Sequence, residues 1–62
     1  MTSLLREVER HLRRRNMSAS RFGRMATRDP RFVFDLREGR EPRPRTAERV
    51  LAFIAAGSPD LR

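Results

Sequence analysis

Two helix-forming stretches joined by too little chain constrain this sequence most. Residues 18–27, SASRFGRMAT, open with a serine suited to an N-cap. They place Phe22, Met25 and Ala26 at i, i+3 and i+4. Residues 29–39, DPRFVFDLREG, open with an aspartate cap and a proline at the first helical position, and close with Gly39 as a left-handed C-cap. Only Thr27 and Arg28 remain to connect them, and helices joined so tightly must cross at a steep angle rather than lie antiparallel. Gly23, inside the first of the pair, costs about 1 kcal/mol relative to alanine. Close approach of another helix is the expected reason for it.

The flanking segments also read as helices. Leu4, Leu5, Val8 and Leu12 form one apolar stripe. Thr2 or Ser3 can cap its start, Arg13, Arg14 and Arg15 suit its C-terminal dipole, and Asn16 is a stop. Glu9 and Arg13 have the spacing of an i, i+4 pair. His11 lies off the stripe and is expected at the surface. Residues 40–45, REPRPR, form a proline-restricted loop. A last helix runs from Pro44 or Arg45 to Ala56, with Val50, Leu51, Phe53 and Ile54 as its apolar set. Gly57 and Pro59 end it, and residues 58–62 are a short tail. No strand signal is of any strength. The expectation is an all-α domain over residues 1–57, of four to five helices.

Size and charge narrow the function. A chain of 62 residues buries only about 60% of the surface exposed when unfolded, so its stability is marginal. With no cysteine and one histidine, neither disulfides nor a metal can supplement it, which leaves oligomerisation. The net charge is +7, and all 15 basic residues are arginine. That usage fits both phosphate recognition and a GC-rich coding sequence; the charge itself points to nucleic acid. Without tyrosine or tryptophan, a stacking surface for single strands is weak. No run approaches the roughly 20 apolar residues of a membrane span, and the N-terminus lacks a signal-peptide core. A cytoplasmic, nucleoid-associated protein is expected. An enzyme, a cofactor or a small-molecule ligand is not, for want of paired carboxylates in an apolar setting and of chain to enclose a pocket.

Four short helices, a tight turn between the second and third, and positive charge suggest a helix-turn-helix reader of double-stranded DNA. Residues 18–54, 37 of the 62, resemble the Cro/CI-like (XRE-type) helix-turn-helix domain of phage repressors and bacterial regulators. Ser18 stands at the family's cap, Phe22 at its apolar position, and Gly23 and Ala26 at its small positions. Val33 and Leu36 match the buried positions of the recognition helix, and Gly39 and Arg40 the pair that closes it. Pro42, Thr46, Arg49, Val50 and Ile54 follow the family's later spacing. The sequence departs from the pattern at Thr27, where the family has its turn glycine, and at Ala19, where it often has glutamine. The recognition helix, with Pro30, Arg31, Phe32, Phe34 and Asp35, carries none of the usual small polar residues.

The resemblance implies a recognition helix over about residues 30–38 lying in the major groove. Helical phase turns Val33, Leu36 and Phe32 inward and Arg31, Phe34, Asp35 and Glu38 outward. Arg31 can take guanine O6 and N7 together, worth about 1–3 kcal/mol of discrimination, or act as a phosphate clamp. Phe34 suits a thymine methyl, the core or a dimer contact. Asp35 suits a cytosine amino group or, better, a salt bridge that orients Arg31. Arg28, in the turn, joins the base-contacting group and also borders the phosphates. Ser18, Arg21, Arg24, Arg40, Arg43 and Arg45 flank the groove and are assigned to phosphates, which position without reading sequence.

The leading expectation is a transcriptional regulator that binds operator DNA as a homodimer, with half-sites about 34–36 Å apart. The last helix and tail are the dimerisation candidates, through Phe53 and Ile54 unless both are core. The alternatives are an architectural DNA binder using charge alone, and an adaptor that grips RNA polymerase or another host protein.

Overall fold

The computed structural model describes residues 3–56 of the chain. Four α-helices follow one another: α1 Leu4–Arg15, α2 Ala19–Thr27, α3 Phe32–Arg37 and α4 Pro44–Ala55. No strand occurs among the described residues.

Local chemistry sets most helix ends. The Ser3 and Ser18 hydroxyls each accept a hydrogen bond from the backbone N–H three residues on, Arg6 and Arg21, both at 3.1 Å. Asn16 ends α1 in the left-handed region at φ 52°, with Met17 N–H reaching back to the Leu12 carbonyl at 3.0 Å. Gly39 does the same for α3 at φ 95°; its N–H donates to Leu36 O and that of Arg40 to Asp35 O, both at 3.0 Å. Pro44 opens α4 at a position where no N–H is needed. Thr2 as an alternative cap, Gly57, Pro59 and the tail lie outside the described residues.

One core joins all four helices. Val8 and Leu12 come from α1, Phe22 and Ala26 from α2, Phe32, Val33 and Leu36 from α3, and Val50 from α4. Leu4, Leu5, Met17, Ala19, Phe53 and Ile54 pack around it, half-buried. α3 is only six residues long. Isolated helices of that length do not persist in water, so its three buried side chains hold it in place.

Four expectations are corrected. α3 begins at Phe32, not Pro30. Asp29 caps the Arg31 N–H through Oδ1 at 2.9 Å, and its carbonyl accepts from Phe32 N–H at 3.0 Å. With Arg31 at φ −96°, ψ 0°, residues 29–32 have the form of a type I turn with proline at its favoured second position. The left-handed turn residue is Arg28, at φ 64°, and not Thr27. Thr27 stays helical, and its hydroxyl donates to the Gly23 carbonyl at 2.9 Å.

His11 is buried, only 6% exposed, where the surface was expected. Its ring meets Phe22 and Phe53 edge-on, with centroids 5.5 and 6.1 Å away, and those two rings lie 5.5 Å apart, edge to face. The three rings tie α1, α2 and α4 together. Leu51, assigned to the inward set, is 45% exposed. It lies just beyond the face that buries Val50 and half-buries Phe53 and Ile54.

Candidate functional site

The connection between α2 and α3 is held to one geometry. A Cβ on Gly23 would run into the backbone carbonyl oxygen of Asp29 and lie 3.4 Å from the Phe32 Cβ. The Asp29 N–H in turn donates to the Gly23 carbonyl at 3.1 Å. Glycine at 23 therefore lets the chain leading into α3 press onto α2, rather than a neighbouring helix axis as such. That contact fixes the start of α3 relative to α2.

The outward side of α3 follows from what the core takes. Phe32, Val33 and Leu36 are buried; Arg31 and Glu38 are exposed, Asp35 is half-buried, and Phe34 is 44% exposed. The four residues expected outward do leave the core. No ion pair joins Asp35 to Arg31 among the described residues; the carboxylate that bonds Arg31 is that of Asp29, and it bonds the backbone N–H.

Ser18, Arg21, Arg24, Arg28, Arg40, Arg43 and Arg45 are all exposed. The Ser18 oxygen accepts from Arg21 N–H, which leaves its own O–H proton to donate outward. Arg40 is tied to the end of α3 through its backbone N–H on Asp35 O. Among the described residues, no ion pair engages Arg24, Arg28, Arg31, Arg40, Arg43 or Arg45. Each of these guanidiniums carries five donors in a planar fork, the geometry that suits phosphate and carboxylate oxygens.

Arg37, which the sequence did not single out, behaves differently. Its Nε donates to Glu9 Oε2 at 2.7 Å and its Nη2 to Glu9 Oε1 at 3.0 Å, a bidentate pair between α3 and α1. The hydrogen bond from Arg37 holds the Glu9 carboxyl below its ordinary value of 4.5, against a smaller opposing effect of desolvation. The expected i, i+4 neighbour, Arg13, contributes only the weakest of the attractions on Glu9. The Arg37 guanidinium also lies 5.7 Å from the centroid of the Phe34 ring. The i, i+3 spacing of Phe34 and Arg37 was the available signal for that contact; the partnership with Glu9, 28 residues away, had none.

Among the described residues no group of three or more histidines, cysteines or carboxylates is placed to hold a metal. No helix there is long and apolar enough to cross a membrane. No protein-family model, curated protein or solved structure matches the chain.

Proposed function

We propose that the protein is a sequence-specific DNA-binding regulator of transcription, a helix-turn-helix domain of the Cro/CI-like type with α3 as its recognition helix. The observation that carries this reading is the division of α3 by phase. One side is committed to the core. The other presents Arg31, Phe34 and Glu38, and five exposed arginines outside any ion pair, Arg24, Arg28, Arg40, Arg43 and Arg45, flank it in sequence on α2, the turn and the loop.

On this reading Arg31, at the start of α3, takes a guanine edge through its fork of donors. Arg28 borders it from the turn. Arg24, Arg40, Arg43 and Arg45, with Arg21 and the Ser18 hydroxyl, hold the phosphates and set the register. Asp35, without Arg31 as a partner, is left to a cytosine amino group. A second copy of the chain supplies the other half-site, as a symmetric operator requires. With Phe53 and Ile54 packed on the core, Leu51 is the large apolar residue of α4 open to that copy.

Selection of duplexes from a randomised library, followed by gel shifts at about physiological salt, tests the reading. An enriched motif bound well above scrambled DNA supports it. Uniform, salt-sensitive affinity for every duplex leaves only a charge-driven architectural binder.

A further inference from the structure

Phe34 and Leu51 are the large apolar side chains left exposed among the described residues, and Phe34 stands on the outward side of α3. The Arg37 guanidinium lies 5.7 Å from the Phe34 ring centroid. That guanidinium is itself fixed from α1 by two hydrogen bonds to Glu9, at 2.7 and 3.0 Å. Arg37 thus differs from the arginines outside any ion pair: a carboxylate already takes its charge and two of its donors. It is placed to steady a ring rather than to meet a phosphate.

We infer that Phe34, steadied by the Arg37–Glu9 pair, reads the C5-methyl group of a pyrimidine in the major groove. This rests on the DNA-binding reading above and gives the site a ligand chemistry. A phenyl ring carries no donor or acceptor, so it is blind to the hydrogen-bond code of the base edges. The apolar group those edges offer in the major groove is the pyrimidine 5-methyl. The surrounding charge favours nucleic acid as the carrier of that methyl: Arg31 stands at the N-cap of α3 before the ring, Arg40 follows the helix, and the chain is +7 overall. The methyl has two sources, thymine and 5-methylcytosine. Phe34 is the contact residue, and Arg37 and Glu9 are positioning residues.

The test starts from a duplex selected by the full chain. Each thymine is replaced singly by deoxyuridine, which keeps every hydrogen-bonding group and lacks only the methyl. Affinity should fall about fourfold at one position per half-site, the worth of one buried methyl. In F34A the thymine and uracil duplexes should bind equally. F34L, a milder variant, should keep part of the difference, and thermal melts of both should show the fold retained. R37Q should shrink the thymine-to-uracil ratio while leaving the salt dependence of binding unchanged; a merely structural role would weaken both duplexes alike. Where no thymine is sensitive, a fourfold gain on replacing one cytosine by 5-methylcytosine assigns the other source. A specifically bound duplex indifferent to both replacements overturns the inference and leaves the DNA reading standing. An F34A variant that binds every duplex as the parent does also overturns it, and assigns the ring to a protein surface. Failure to select any duplex removes both.

Discussion

The backbone carbonyl oxygen of Asp29 occupies the space that a side chain on residue 23 would need. The α2–α3 unit depends on that contact, because the Asp29–Phe32 turn has nowhere to retreat: its N–H groups bond back to α2 and to Asp29 itself. G23A should therefore destabilise the domain by about 1–3 kcal/mol through overpacking. G39A meets nothing within 4 Å but sits at φ 95°, so it should cost about 1 kcal/mol through backbone strain alone. Urea unfolding followed by circular dichroism separates the two: the loss at position 23 should be the larger.

Arg28 holds the left-handed turn position, at φ 64°, which glycine adopts without penalty. R28G should raise stability by about 0.5–1 kcal/mol. If Arg28 also meets the DNA, the same variant should bind any duplex more weakly and lose about one unit of the salt slope. Melting curves and salt-dependent binding isotherms on one preparation check both halves.

The pair between Glu9 and Arg37 gives a pH dependence with a definite sign. The Glu9 carboxyl is held below its ordinary value of 4.5 in the folded chain. A depressed carboxyl contributes stability at pH values above 4.5 and loses it as pH falls through the lowered folded value. Both side chains are partly exposed, so the effect is at most about 1 kcal/mol. Melting temperature should drop between about pH 5 and about pH 3, and E9Q should drop less over the same window.

His11 fills a place between two phenylalanine rings, so H11A should leave a cavity where three helices meet. A loss of about 2–4 kcal/mol is expected, near the range for truncating a large buried side chain. In a domain this small that loss should leave much of the protein unfolded at 37 °C, visible as lost helical ellipticity.

What the sequence made legible, and what it did not, divides by range. Asn16, Ser18, Gly39 and Pro44 act on their own neighbours, and each sits in the structure in the role its chemistry suggests. Val33 and Leu36 declared their burial by phase. Phase was indecisive at His11 and Leu51, because both stand at the edge of their helix's apolar face, His11 three residues after Val8 and Leu51 one after Val50, and burial there depends on what packs across from it; Phe22 and Phe53 cover the histidine, and among the described residues nothing comparable covers the leucine. The start of α3 was misplaced because an aspartate–proline pair opens a type I turn as readily as a helix. The Glu9–Arg37 pair was invisible, since long-range partners leave no local spacing. Arg24, Arg28, Arg31, Arg40, Arg43 and Arg45 were legible as charge, and that no ion pair among the described residues engages them became visible only in the fold.

On the function proposed, the outward side of α3 reads sequence, and Arg31 is its foremost residue. The most direct test is the affinity of the parent chain and of R31A for a selected duplex and its scrambled counterpart, at one salt concentration. R31A should weaken the selected duplex by about tenfold or more, the worth of one bidentate guanine contact, and relax preference at a single base position. The scrambled duplex should change only as one lost charge requires. Equal losses on both duplexes, with no base position relaxed, would contradict the claim.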